Sequence, residues 1–271
     1  MKLDSNRAWK EASRNVSRNR DPLAAVAGVF FMLPQLALSL FFPQPEPTAG
    51  MSEQQIMELV QGYYLSTLPV LIPMLLLQTL GTLALLSLLG HPSRPTVGGA
   101  LKLSLASLPT YLGAQILLGL AIGLGGGLLV ALLTLTGVAA LAVAGLLLVI
   151  IVAAGAGLRM SLSAPVVAIE GERSPIRALQ RSWQLTAGNS WRLLAFYALF
   201  FMAALVIQML AGIVVGIPLA MVADGFVLLL GSALVSSLIN AIVVLYFVAI
   251  IGAVRDQLAG PSVEQERRTF D

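Results

Sequence analysis

The chain contains no cysteine and a single histidine, His91. The first absence removes disulfides, thiol nucleophiles and thiolate metal sites, and it leaves the redox compartment open. The one histidine lies in a Pro-flanked turn, and no Ser/His/Asp set, metal-ligand spacing or phosphate-binding P-loop appears. Charge is scarce too. Asp, Glu, Lys and Arg together make up 11% of residues, against about 25% in a typical soluble domain. What fills the chain instead is apolar: 58% of the 271 residues are hydrophobic. So much apolar surface cannot be hidden in one soluble core, and the natural solvent for it is a bilayer. The net charge of +3 does not point to nucleic acid, because the charges are confined to the gaps between apolar runs.

All sixteen basic residues fall into four clusters. The first runs from Lys2 to Arg20, the second is Arg94 and Lys102, the third is Arg159 to Arg192, and the fourth is Arg255, Arg267 and Arg268. No Lys or Arg lies between clusters, whereas Glu46, Glu53, Glu58 and Asp224 do. Loops rich in Lys and Arg stay cytoplasmic, so each interval leaves the cytoplasm and returns. A span takes about 20 residues, which gives each interval room for two. The expected fold is an all-α integral membrane protein with six transmembrane helices, amphipathic interfacial helices and both termini cytoplasmic.

In chain order, residues 1–21 form a cytoplasmic amphipathic helix, with Trp9, Ala12 and Val16 as its apolar stripe and Arg7, Lys10, Arg14 and Arg18 around it. Such a helix suits the anionic inner leaflet. A single membrane domain covers 22–255, with spans at about 22–42, 66–90, 99–123, 128–156, 191–215 and 226–253. Ser52-Glu-Gln-Gln55 reads as a capping box that starts a separate interfacial helix over 53–64. Gly123 to Gly127 reads as a tight outer turn. Gly119, Gly123 and Gly127 make a small-xxx-small series suited to close helix packing. The unusually long apolar run to Ala156 implies a tilted or protruding span. Residues 256–271 are a polar cytoplasmic tail.

The longest interior polar island is 170–192. Ser174 is placed as an N-cap with Pro175 in the first helical position, and Gly188 suits the position after the helix end. The helix over 175–187 then feeds the fifth span. Trp183 and Trp191 read as headgroup anchors. Arg177 and Arg181 stack four residues apart and repel mildly, so an anionic partner nearby would help them. Lipid phosphate is the expected one, with Arg192 snorkelling to the same surface.

Shifting the N-terminal region by 170 places it over this elbow without gaps. Arg7-Ala8 meets Arg177-Ala178, Asn19 meets Asn189, Leu23 meets Leu193 and Phe30-Phe31-Met32 meets Phe200-Phe201-Met202. A parallel internal repeat is one reading, and chance similarity of apolar sequence is the other.

Residues 165–192 also resemble the membrane domain found with some bacterial glycerophosphodiester phosphodiesterases, and related free-standing inner-membrane proteins. The resemblance rests on Ala178, Leu179, Arg181, Ser182, Trp183, Leu185, Thr186 and Gly188, with Arg7-Ala-Trp9 and Leu33-Pro34 adding to it. It implies a six-helix protein of a bacterial inner (plasma) membrane. It implies no activity, since the membrane domain is not the catalytic part of that family, and it marks Ser174, Pro175, Ser182, Thr186 and Gly188 as structural.

Three functional classes were weighed. An enzyme lacks candidates: no catalytic residue, metal ligand or cofactor site is expected. An ion-coupled transporter would place ionisable residues inside spans, and none falls there. Gln35, Gln78, Gln115, Gln208 and Asn240 are the strongest intramembrane polar groups, best explained by interhelical hydrogen bonds. A non-catalytic scaffold or regulatory partner fits best, with anionic lipid headgroups as its expected contact and another membrane protein as the further candidate partner. A permease or lipid-handling transporter for a neutral or amphipathic substrate is the alternative.

Overall fold

In a lipid environment every backbone donor and acceptor must be satisfied within the chain, and helices do this segment by segment. The computed structural model describes residues 2–45, 47–48, 50–91, 93 and 95–260, and among these there is no strand. Six helical stretches are long and apolar enough to cross a membrane. The protein is therefore a multi-pass helical membrane protein. Arg94, Arg267, Arg268, Glu46 and most of the expected tail lie outside the described residues.

The chain opens with α1 (Ser5–Arg18), capped by Asp4, whose carboxylate accepts from the Arg7 N–H at 3.1 Å. The first span is Arg20–Phe41. It comprises α2 (Arg20–Ala27), a wide π-helical turn (Gly28–Met32) and α3 (Leu33–Phe41). The fifth span has the same construction: α9 (Ser190–Ala211) and α10 (Ile217–Val222) flank a π-helical turn over Gly212–Gly216. Each wide turn ends one residue before the residue preceding a proline, Pro34 or Pro218. A proline has no N–H and crowds the carbonyl four residues back. A wide turn there relieves the crowding and lets the helix continue. This corrects the expected end of the fifth span at 215, since the helix runs on to Val222 and only Ala223 and Asp224 connect it to α11 (Gly225–Ala259).

Three expected boundaries also move. The capping box at Ser52 forms in both directions. The helix it starts, α4 (Glu53–Gly90), is continuous through Pro69 and Pro73, so no separate interfacial helix exists over 53–64. Tyr63 instead ties α4 to the first span by donating to the Phe42 carbonyl at 3.0 Å. Gly123 to Gly127 is not a turn. α5 (Val97–Thr134) runs unbroken through it, and the chain reverses at Leu135–Val138, where Gly137 takes φ +72°. α6 (Ala139–Met160) and the short α7 (Ser163–Ile169) follow. Glycine in a spanning helix forfeits little, because lipid offers the backbone no alternative partner. The reversal therefore falls where a residue with positive φ and polar threonines coincide. The polar tail also starts later than residue 256, since α11 extends to Ala259.

The glycines that let helices approach are not the expected series. A methyl group at Gly119, Gly123 or Gly127 would meet nothing within 4 Å. At Gly126 it would meet Val149 at 2.6 Å, at Gly145 it would meet Leu133 at 2.4 Å, and at Gly81 it would meet Phe30 at 2.5 Å. Of the intramembrane amides, Gln208 bonds across helices to Ser236 at 3.3 Å, whereas Gln115 bonds within its own helix to Tyr111.

The core lies at one end. Leu83 to Leu86 of α4, Val248 to Val254 of α11, α7 in its entirety, and Ala8, Ala12 and Val16 of α1 are buried together. α4 and α5 are each 38 residues long, about 57 Å at 1.5 Å per residue. A hydrocarbon core is about 30 Å thick, so both helices have length left over to form this platform. α1 packs on the platform half of α11, with Trp9 stacked on Tyr246 at 5.8 Å between ring centroids. Asp4 and Gln257 exchange two hydrogen bonds at 3.3 Å, which brings both ends of the described chain to the platform.

The 170-residue offset reappears in the packing. α1 is followed by Asn19 and a span from Arg20, and α8 (Pro175–Thr186) by Asn189 and a span from Ser190. Both asparagines hold nearly the same backbone, φ −123°, ψ 29° and φ −117°, ψ 3°. The buried positions Ala8, Ala12, Val16, Leu23, Val26 and Ala27 correspond one for one to Ala178, Ser182, Thr186, Leu193, Phe196 and Tyr197. The surroundings differ, because α1 rests on α11 whereas α8 rests on α5, α6 and α7.

Candidate functional site

The elbow 170–192 is joined to its neighbours through Glu170, Arg173, Ser182, Asn189, Ser190 and Arg192. Glu172 supplies a side-chain acceptor just before α8, on N–H groups that precede the helix. Its Oε1 accepts from the Arg173 N–H at 2.9 Å and the Ser174 N–H at 2.8 Å. Ser174 holds the N-cap position with an extended backbone, but its hydroxyl makes no capping bond. A carboxylate is the stronger acceptor beside the positive end of a helix. Pro175 takes the first helical position and lies so close to α5 that a methyl at Gly113 would meet it at 3.0 Å. Arg173 donates to the Ala106 carbonyl at 2.7 Å, and Thr110 donates back to the Arg173 carbonyl at 3.1 Å.

α8 buries Ala178, Ser182, Leu185 and Thr186. Ser182 donates to the carbonyl of Arg159 at 2.7 Å, and the Thr186 hydroxyl, 2.9 Å from the Ser182 carbonyl of its own helix, also stands within reach of it at 3.3 Å. The Arg159 carbonyl belongs to the last turn of α6, where no helical N–H remains to pair with it. The two hydroxyls therefore close the end of one helix from the flank of another. Gly188 adopts φ +73°, as expected for the residue that turns the chain after a helix. Asn189 is buried and its Oδ1 accepts from the Leu3 N–H at 2.9 Å, while Arg192 donates to the Leu3 carbonyl at 3.2 Å.

The arginines expected to seek lipid phosphate have carboxylates of their own. Arg181 Nε lies 3.3 Å from Glu170 Oε2, and Arg177 Nε lies 3.4 Å from Glu172 Oε1. Glu170 also reaches Arg255 of α11 at 3.0 Å through its other oxygen. The anionic partner that relieves the Arg177–Arg181 repulsion is thus supplied within the chain. Arg177 is still 70% exposed, so its pair is worth little in water.

Arg159 is the residue that sequence reasoning left without a role. Its guanidinium carbon stands 4.1 Å from the centre of the Trp183 ring, and its Nε donates to the Ser190 hydroxyl at 3.1 Å. Trp183 and Trp191 are exposed, by 44% and 80%. Trp183 also lines an apolar groove of about 690 Å³ formed by α5, α8 and the end of α6, with Leu117, Leu118, Ala121, Met160 and Ile176 among its walls. The lone basic residue at the end of a long apolar helix was the one visible signal for this site. Its indole partner, 24 positions later, was not legible. Among the described residues no group of three His, Asp or Glu could hold a metal ion.

No family model matches this chain, and neither does any curated protein or solved structure.

Proposed function

We propose that this chain is a non-catalytic protein of a bacterial inner membrane, a scaffold or regulatory partner that contacts lipid, with its platform and both termini in the cytoplasm. The observation that carries this reading is the placement of its three tryptophans. Trp9, Trp183 and Trp191 are all exposed, and all stand at the platform end beside the basic residues of α1, the elbow and α11. Indole rings and cations on one end suit headgroup depth on the anionic, positive-inside face. The resemblance of 165–192 to the membrane domain found with glycerophosphodiester phosphodiesterases supports the bacterial setting and the absence of catalysis. Most polar groups of the elbow support it too, being engaged in joining helices, Gln180 and Gln184 in the groove wall excepted.

A second reading, a permease or lipid-handling transporter for a neutral or amphipathic substrate, draws on the groove between α5 and α8. Extraction of the full chain into native-lipid discs, followed by identification of what accompanies it, tests the two. A protein in fixed stoichiometry supports the scaffold. A defined small molecule other than a membrane phospholipid in its place overturns the scaffold and favours transport. Equal association with anionic and zwitterionic lipid removes the headgroup component.

A further inference from the structure

We propose that the groove between α5 and α8 binds one anionic phospholipid, with the phosphate on Arg159 and an acyl chain along Leu117, Leu118 and Ala121. This names the site of the lipid contact proposed above and rests on that reading.

Arg177 has Glu172, and Arg181 and Arg255 share Glu170, whereas Arg173 and Arg192 donate to the backbone carbonyls of Ala106 and Leu3. Among the described residues no carboxylate comes within ion-pair distance of Arg159. A guanidinium carries five N–H donors, and only the Nε–H of Arg159 has a recorded acceptor, Ser190. The remaining donors and the full charge stand half-buried over an indole face. A cation in that condition lacks an anion, and a planar fork of donors matches phosphate in two-pronged fashion.

The fork is also held in place. The backbone carbonyl of Arg159 receives Ser182 and Thr186, its Nε is fixed by Ser190, and its plane is supported by Trp183. A surface arginine in search of water has no need of four such constraints. Trp183 then connects the charge to the groove, since the same indole lines both.

The groove supplies the apolar half. At about 690 Å³ it is of the size that accommodates small organic ligands, roughly 300–1,000 Å³. Its α5 wall is leucine and alanine, and Leu117 is exposed on the side where lipid would lie. Gln180 and Gln184 also line it, and among the described residues neither amide has a hydrogen-bond partner. Both offer donors to phosphate or glycerol oxygens. Cation, neutral donors and an apolar trough in that order reproduce the profile of a phospholipid from headgroup to chain. Free phosphate would leave the trough empty.

The test uses the full chain, delipidated in mild detergent and titrated with phosphatidylglycerol, with bound lipid counted by native mass spectrometry. One tightly retained phosphatidylglycerol is expected, and phosphatidylcholine should be retained at least tenfold less. Arg159→Gln should weaken retention at least tenfold. Because Arg159 also supports the α6–α8 junction, Ala121→Phe provides the independent arm: it fills the trough and touches no hydrogen bond, and it should weaken retention to a similar degree with helical content unchanged. Arg177→Gln should leave retention within twofold. Retention unchanged in both Arg159→Gln and Ala121→Phe overturns this site while leaving lipid contact elsewhere intact. Failure of the unaltered chain to retain any anionic lipid overturns both this site and the lipid reading it rests on. Displacement of the lipid by millimolar inorganic phosphate, with Ala121→Phe silent, would make the site a free-anion site and overturn the proposal.

Discussion

Glu170 and Arg255 meet at 3.0 Å although 85 positions separate them. Their contact fastens the elbow to α11, and Arg181 completes it on the other carboxylate oxygen at 3.3 Å. Arg255 is 17% exposed and Glu170 21%, so water screens this pair less than a surface pair. Glu170→Gln should lower stability by about 1–3 kcal/mol, the usual worth of a hydrogen bond to a charged group. Arg255→Gln should cost a similar amount. The double variant should cost clearly less than the sum, because the two share one interaction. Thermal unfolding followed by circular dichroism in detergent measures all three, and strict additivity would show that the pair is not coupled.

Ser182 and Thr186 should behave as a unit. Ser182→Ala leaves Thr186 to serve the Arg159 carbonyl, so its cost should be small, about 0.5–1 kcal/mol. Ser182→Ala combined with Thr186→Val leaves the carbonyl at the end of α6 without either donor. An unpaired buried acceptor costs about 1–3 kcal/mol, so the double should exceed the sum of the singles. The same unfolding assay decides it, and a double equal to the sum would mean the two hydroxyls act separately.

The backbone at the start of the chain is fastened by Asn189, Arg192 and Gln257. Asn189→Ala removes the acceptor for the Leu3 N–H, whereas Asn189→Asp retains one. Amide hydrogen exchange over residues 3–8 should accelerate several-fold in the alanine variant and stay near the original rate in the aspartate variant. Equal exchange in the two would show that the side-chain acceptor does not hold this segment.

Orientation is open to a direct experiment. Reporter fusions after Pro47 and after Gly260 should report opposite sides of the membrane, outside and inside respectively. Identical readings at both sites would contradict an odd number of crossings between Pro47 and Gly260. The reverse assignment would place the platform outside.

How much of this was legible depends on which force decides each feature. The six spans could be read because exclusion of water acts on long runs and needs no knowledge of neighbours. The capping box at Ser52 and the turn at Gly188 could be read because both are settled within four residues. The reversal between α5 and α6 was misplaced because five residues that include four glycines, Gly123 to Gly127, signal a turn in water, and inside a helix hairpin they do not. Ser174 holds the N-cap position that residue preference gives to serine, but its hydroxyl makes no capping bond, and the carboxylate of Glu172 binds the N–H groups just before the helix. The elbow's arginines were assigned to lipid because no local pattern shows Glu170 and Glu172, in the turn before α8, folding back onto them. Nothing in the order of residues says that Arg255 lies beside Glu170, or that Arg159 reaches back over Trp183. Those contacts belong to tertiary packing.

α11 has no proline across its 35 residues, which makes it about 52 Å of uninterrupted helix. It touches the first span, α4, α7, α8, α9 and α1 along that length. A rod of this kind pivoting at its midpoint moves each end by about 0.5 Å per degree of tilt. A partner that leans on the short Ala223–Asp224 loop would therefore displace Arg255 against Glu170, near the far end of the lever, while Tyr246, four residues past the midpoint, stays nearly in place against Trp9.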